Sequence, residues 1–554
     1  MATRDQTASA KRHAYPVLNM GKRLQEMERT IAAFEQKDVI NRIWHKDHTV
    51  WKQQPSEISN RLGWLYVIDQ MTDKINEMEA FAEEVKDAGY RHIVLLGMGG
   101  SSLGPEVLRK TFGNAVHYPP LIVLDSTHPA WVKAIVDSIE IRHTLFLVSS
   151  KSGSTIETMS LYRYFRDLVN QELGVEKAGR NFVAISDGDT PLVNLAGREG
   201  FRRVFINPSD IGGRYSVLSY FGLIPASLTG INIRSLLDRA LRMQESCAPC
   251  ADASENPGFW LGALIGSCAL HGYNKLTFII SPSISSAGLW LEQLIAESTG
   301  KEGKGIIPVI DEPLMPPEYY GDDRLFVYLR MKGDTNIKTD EAVVQLEVAG
   351  QPIIQLEVSD QYDLGGEFFR WEFATAVAGA VLDINPFDQP DVQAAKDAAK
   401  QIIKEFKSSK YLPVIPVGND LNNWLEQVKP YDYIAIMAYM KPTPAVERAF
   451  SDLRKKLIKK YHVATILGYG PRYLHSTGQL HKGGPDIGLF IQITINRIKD
   501  LCLPGEHYTL GILTEAEALG DYRALESKGR KIIRLQLCSG SGTAVQRLIR
   551  DYFP

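Results

Sequence analysis

The stretch "LLGMGGSSLGPEVLRK", Leu95 to Lys110, joins an apolar run to a glycine-serine turn and then to a helical pattern. A strand that ends in glycines and opens a helix exposes backbone N–H groups. Together with the helix dipole, these favour an anion. Gly97 and Gly99 also fit the start of a dinucleotide fingerprint, but Ser102 stands where its third glycine would be. Asp125, at the end of the next apolar run, keeps the dinucleotide alternative open at this point.

A second loop of the same kind decides between the two. "LFLVSSKSGSTIET" places Ser150, Lys151, Ser152, Ser154 and Thr155 at the end of another strand pattern. Hydroxyls, an ammonium group and glycines around one small anion suit a phosphomonoester better than a dinucleotide. The bland alternative for either loop is a Ser/Thr-rich turn with a helix N-cap; two such loops in succession favour the phosphate site.

Outward from these loops, apolar runs alternate with helical stretches: HIVLL, LIVLD, LFLVS, FVAIS and VFIN up to residue 225. Such alternation predicts βαβ units on a parallel sheet. A second alternating block runs through NKLTFIIS, LWLEQLIAES, GIIPVI, LFVYLRM, PIIQLEV and the long helix EFFRWEFATAVAGAVLDI, then closes on DVQAAKDAAKQIIKEF. After SSKYLPVIPVGND, which reads as a linker, a third block carries the apolar runs YDYIAIMAY, VATILGYG, GLFIQIT, YTLGILT and KIIRLQL. Residues 1–90 read as a helical arm, 91–225 and 226–410 as two doubly wound domains, and 411–554 as a C-terminal α/β domain.

Composition sets limits. The chain has 554 residues, 44% of them hydrophobic and 23% charged, with a formal net charge of −3. That balance gives no sign of a nucleic-acid or membrane partner. No apolar run reaches the ~18 residues that span a bilayer, and MATRDQTASAKRHAYP lacks the apolar segment of a secretory signal and reads as a disordered or arm-like start. Five cysteines, an odd number, argue for a reducing compartment and a cytoplasmic protein. Neither the CAPC of Cys247 and Cys250 nor the His45/His48 pair has the further ligands a metal or redox site needs.

Three more segments place reactive groups at useful spacings. GGRYSVLS sets Arg214 beside Gly212 and Gly213. LEQLIAESTGK puts Gln293 and Glu297 four residues apart, on one helix face. FDQPDVQAAK puts Gln389 at the start of a helix and Lys396 two turns later. Each alone is more often a solvated helix charge. Taken together with GMGGSSLGP and SKSGSTIET, in this order over roughly residues 90–400, they resemble the glucose-6-phosphate isomerase family. Its fold is two sugar-isomerase (SIS) domains. The whole chain is also similar to the isomerase half of transaldolase–glucose-6-phosphate isomerase fusions, without a transaldolase part.

The resemblance implies the residue roles. Gly100, Ser101, Ser150, Lys151, Ser152, Thr155 and Gly213 would bind substrate, chiefly its phosphate. Gln293 and Gln389 would contact sugar hydroxyls, and Arg214 would stabilise an enediolate. Glu297 would move the proton between C1 and C2, and Lys396 would sit near the ring and C1 oxygens. A small-molecule sugar phosphate is the expected partner, with no cofactor and no metal; the resemblance also allows a homodimer. The family's ring-opening histidine lies between the glutamate and the glutamine-lysine helix, where this chain has no histidine. YLHSTGQLHKGG, in the third block, has a similar His-Gln-His-Gly order. It makes His475 the expected ring-opening acid–base and His481 the runner-up. The expected activity is interconversion of glucose 6-phosphate and fructose 6-phosphate. The alternatives are a broader phosphosugar isomerase that also takes mannose 6-phosphate, a non-catalytic sugar-phosphate sensor and, least, a dehydrogenase.

Overall fold

The computed structural model describes residues 17–18, 22–253, 255–418, 420–496 and 499–553. The opening MATRDQTASAKRHAY lies outside the described residues. Among the described residues, fourteen strands form three sheets. The first holds β2 (His92–Gly97), β3 (Leu121–Leu124), β4 (Thr144–Ser149), β5 (Phe182–Asp187) and β6 (Arg203–Asn207) in the order β3-β2-β4-β5-β6. β1 (Val17–Leu18) edges the second sheet, pairing antiparallel with β10 (Ile353–Val358); β9 (Arg324–Met331), β7 (Lys275–Ile280) and β8 (Ile307–Val309) continue it in parallel. β11 (Tyr433–Ala438), β12 (Ala464–Tyr469), β13 (Gly488–Ile495) and β14 (Lys531–Leu537) form the third, in the order β12-β11-β13-β14.

All three sheets share one winding. Leaving aside the edge strand β1, the first strand of each sheet sits inside, the second turns outward to one side, and the third and fourth add on the other side. This places the point where the winding reverses between β2 and β4, between β7 and β9, and between β11 and β13. Ligands of open α/β sheets bind outside the strand ends at that point. The two loops singled out above follow β2 and β4, so both open at one such reversal. Strands such as Thr144–Ser149 are buried at every position, which explains why they read as continuous apolar runs rather than as alternating ones.

One apolar run differs from its expected place. YTLGILT enters no sheet; it opens the helix Leu510–Ser527. Thr509 caps that helix by accepting from Ile512 N at 3.2 Å, and the following EAEALGDYRALES supplies strong helix formers. The helix Val392–Ser409 also begins later than its pattern suggests, leaving Gln389 in the preceding loop. Pro390 accounts for this, because it drives the residue before it out of the helical region.

Packing ties the blocks together. Side chains of the first sheet, Phe146 and Phe182 among them, share one apolar cluster with Ile402 of the Val392–Ser409 helix and Leu513 of the Leu510–Ser527 helix. In a second cluster Tyr433, Ala435 and Leu480 of the third block meet Ala296, Ile307 and Val309 of the second. The third block therefore sits against the end of the helix Ala287–Thr299, which carries Gln293 and Glu297.

The apolar helix Leu364–Val381 carries Glu367 and Arg370, which pair at 3.0 Å, and Glu372, which has zero exposure. Neither carboxyl oxygen has a hydrogen-bond partner among the described residues. Burial raises its carboxyl well above the ordinary 4.5, so the folded chain keeps a proton that the unfolded chain releases. This residue therefore lowers stability as pH rises above 4.5, by about 1.4 kcal/mol per unit for as long as the folded state stays protonated. Glu372→Gln removes the ionisable group while keeping the shape. Chemical denaturation at a series of pH values is expected to show the variant gaining on the wild type as pH rises; parallel stability curves would contradict the assignment.

Candidate active site

The first anion loop is built by close backbone contact. Gly99 has φ +56°, and a Cβ there would meet Gln293 Nε2 at 2.9 Å and the His475 carbonyl oxygen at 3.0 Å. A Cβ on Gly100 would lie 1.8 Å from the Gly213 carbonyl oxygen. The start of the helix Gly100–Phe112 is thus pressed against the Gly213–Tyr215 turn that holds Arg214. Ser101 sits in its first turn, buried.

The second loop precedes the helix Ile156–Leu173. Ser150 and Thr155 share a hydroxyl hydrogen bond of 3.1 Å, and the Ser154 hydroxyl and N–H both turn toward Ser152 Oγ, at 3.1 and 3.4 Å. Lys151 turns its ammonium aside, to the Asp187 carboxylate and to the Ser209 carbonyl at 2.9 Å. A cavity of about 230 Å³ opens beside this loop. Ser152, Thr155, Lys396 and His475 line it.

A cluster around Glu297 adjoins the cavity. Gln293 Nε2 donates to Glu297 Oε2 at 3.1 Å and to the His475 carbonyl at 2.9 Å. One amide thus links the helix Ala287–Thr299 to the third block. Arg214 Nη1 stands 3.8 Å from Glu297 Oε2. Its Nε donates to Ser298 Oγ at 2.7 Å and its Nη2 to the carbonyls of Pro386 and Asp388 at 2.7 and 2.9 Å. Arg214 therefore grips the loop that leads to Gln389, which is exposed.

Four residues in or around this site escaped sequence reasoning. His475 Nε2 lies 2.6 Å from Glu157 Oε1. Burial pushes the Glu157 carboxyl up, but the His475 charge and hydrogen bond outweigh it and bring the group to about 2. In sequence Glu157 is only an acid in the first turn of a helix, a common dipole-favoured position, and 318 residues separate it from His475. Lys301 donates to the Asp388 carbonyl and carboxylate at 2.6 and 2.7 Å. Burial first, then the neighbouring Arg214 charge, lowers its ammonium to about 8. Gln479 bonds the Gly300 carbonyl at 3.0 Å and both the N–H and the carboxylate of Asp391, at 2.9 and 2.7 Å. Glu517, from the helix Leu510–Ser527, lines the cavity beside Glu157.

His481 is elsewhere. It is buried between the rings of Tyr473 and Phe490, at 6.0 and 5.0 Å, and neither ring nitrogen has a partner among the described residues. Burial pushes its imidazole well below 6.5. The CAPC pair is likewise remote from this chemistry: Cys247 is buried and its thiol pushed up to about 12 by burial, and Cys250 is exposed.

Comparison with known proteins finds glucose-6-phosphate isomerases. The phosphoglucose isomerase family model matches residues 61–305. A probable glucose-6-phosphate isomerase of Methanococcus maripaludis is 28% identical over 398 residues, which are 64% of this chain and 88% of that protein. The glucose-6-phosphate isomerase of Staphylococcus aureus strain NCTC 8325 is 28% identical over 382 residues, 61% of this chain and 86% of that protein. In fold, the chain is similar to the crystal structure of a glucose-6-phosphate isomerase from Chlamydia trachomatis, with a TM-score of 0.60 and 18% identity over 69% of this chain and 86% of that one. These sequence relatives define an isomerase. Residues 61–305, less than half of the chain, carry the likeness to the phosphoglucose isomerase family model. The segments bearing Lys396 and His475 lie beyond the stretch the family model matches.

Adding one methyl group at Gly100 tests the close approach of the two loops. Gly100→Ala is expected to lower stability by about 1–3 kcal/mol, the usual cost of overpacking a dense site. Thermal unfolding at matched pH would show it. A melting temperature equal to that of the wild type would mean that the two loops do not abut.

Proposed function

We propose that Glu297 carries the proton between C1 and C2 in the reversible isomerisation of glucose 6-phosphate and fructose 6-phosphate that this family performs. The observation that supports this reading best is the Gln293 amide, which ties the Glu297 carboxylate and the His475 main chain into one unit.

The hydroxyls of Ser150, Ser152 and Thr155, with Ser101 and the N–H groups near Gly100 and Gly213, hold the phosphate dianion. Lys151 shapes that loop through Asp187 and adds positive charge nearby. His475 donates Nε2–H to Glu157, which leaves Nδ1 as its basic nitrogen. It opens the pyranose ring by moving a proton between the ring oxygen and the C1 hydroxyl. Lys396 sits near those same oxygens. Glu297 then lifts the C2 proton, and a cis-enediol(ate) forms. Arg214 faces the charge that develops on oxygen, where a fixed cation in a dry site is most effective. Glu297 returns the proton to C1. Gln293 and Gln389 bond the sugar hydroxyls; Gln293 Oε1 is buried without a partner among the described residues and is free to accept one. The free cysteines support a reducing, cytoplasmic setting. Among the described residues no helix is long and apolar enough to cross a membrane.

Glu297→Gln is expected to lower kcat by roughly 10²–10⁴ while leaving the affinity for 6-phosphogluconate nearly unaltered. Ser152→Ala with Thr155→Val should instead raise KM and that inhibition constant together. Near wild-type exchange of the C2 proton with solvent in Glu297→Gln would remove the assignment.

His475, Glu157, Gln293 and Glu297 meet within one chain. Mixing the Glu297→Gln and His475→Ala variants under conditions that allow subunit exchange should therefore restore nothing. If two chains shared each site, mixed dimers would rebuild one intact site and bring back about a quarter of the activity.

A further inference from the structure

We propose that Glu517 is a positioning residue for ring opening: as a neutral carboxylic acid it donates a hydrogen bond to the Glu157 carboxylate and so holds the anion that orients His475. This inference rests on the reading of His475 as the ring-opening acid–base.

The geometry begins with burial. Glu157 and Glu517 are 5% and 4% exposed, and both line the cavity that holds Lys396 and His475. Both carboxyl groups open on the same cavity, where the Glu157 charge acts on Glu517. Two carboxylates side by side in a dry site do not both stay ionised; one of them keeps a proton. A hydrogen bond between the two oxygens exists only in that state, because an ionised carboxyl has no donor.

The surroundings decide which carboxyl holds the proton. Glu157 has a His475 nitrogen at 2.6 Å and the Lys396 ammonium among the charges acting on it. Glu517 has only hydroxyls: its Oε2 accepts from Thr127 Oγ1 at 3.2 Å, and Thr127 shares a 2.9 Å hydrogen bond with Thr514, one turn before Glu517. Its Oε1 is buried with no donor to bond among the described residues. Lys482, which also lines the cavity, is held at 2.5 Å by Asp521, one turn after Glu517. Lys400, on the far wall, is exposed. The helix Leu510–Ser527 thus presents Thr514, Glu517 and Asp521 to the site from one face, and no cation is left to Glu517. Burial first, and then the Glu157 charge, pushes Glu517 well above the ordinary carboxyl range, the opposite direction from Glu157.

Charge-assisted O–H···O⁻ bonds are short and strong. One such bond fixes the second Glu157 oxygen, keeps Glu157 ionised and leaves its first oxygen for His475 Nε2. The third block then supplies both the ring-opening histidine and the group that steadies the partner of that histidine.

Glu517→Leu removes the donor, and Glu517→Gln replaces it with an amide N–H. Anomer exchange of glucose 6-phosphate, read by NMR, reports ring opening, and loss of tritium from C2 of open-chain substrate reports the enediolate step. Glu517→Leu should slow anomer exchange about tenfold or more and displace the acid limb of kcat/KM. It should slow the enediolate step far less. Glu517→Gln should recover most of the loss and the wild-type limb. Isotope-edited infrared spectra of the wild type at neutral pH should show a protonated carboxyl band that Glu517→Gln lacks. The infrared comparison decides the matter even if Glu517→Leu fails to fold. A glutamine variant as slow as the leucine one, normal anomer exchange in both variants, or absence of that band in the wild type would each overturn the proposal. If His475→Ala slows anomer exchange in the same assay, the reading of His475 survives that failure; normal exchange in His475→Ala overturns the reading itself.

Discussion

The 2.6 Å contact between His475 and Glu157 is the interaction on which the site depends. It joins a helix of the first block to a turn of the third, across the face on which substrate would lie. Removing two charges from water is expensive, and a buried ion pair seldom contributes net stability. Such a pair earns its place through geometry. Here it requires the helix Leu510–Ser527 behind it and the helix Val392–Ser409 beside it, and apolar packing holds both.

A second set of contacts places the carboxylate chemistry. Arg214 and Lys301 converge on the carbonyls between Pro386 and Asp388. Gln479 holds Asp391 just beyond. The loop before the Lys396 helix is therefore pinned from three blocks at once. A guanidinium that makes three hydrogen bonds loses little freedom when substrate arrives, which suits a group meant to meet charge that appears only in the transition state. The buried Gln293 amide provides the same rigidity between Glu297 and the His475 turn.

The third block is thus more than an appendage. Its sheet repeats the winding of the other two, yet its role in the site comes from one turn after β12 and from one helix face. Tyr473 donates to Asp521 at 2.7 Å and Lys482 bonds the same carboxylate at 2.5 Å, so the turn carrying His475 is fixed to that helix at both ends. Buried polar networks of this kind are costly when incomplete and rigid when complete.

Much was legible in the chain. Apolar runs followed by Gly/Ser loops marked β2 and β4, because a parallel strand buried on both faces reads as unbroken apolar sequence and its C-terminal loop must satisfy an anion with backbone N–H groups. Gln293 and Glu297 declared a shared face by helical spacing alone. YTLGILT was ambiguous, since a short apolar run carries no period; its cap, the helix formers that follow and its packing against the first sheet made it a helix. Local pattern determined most of the strands and helices and the two Gly/Ser loops proposed to bind phosphate. Tertiary structure decided which of two histidines meets the site, that Glu157 is its partner and that Glu517 stands behind both. The His475–Glu157 pairing alone spans 318 residues of the chain. These pairings depend on how three separately wound sheets pack, and no local periodicity encodes that.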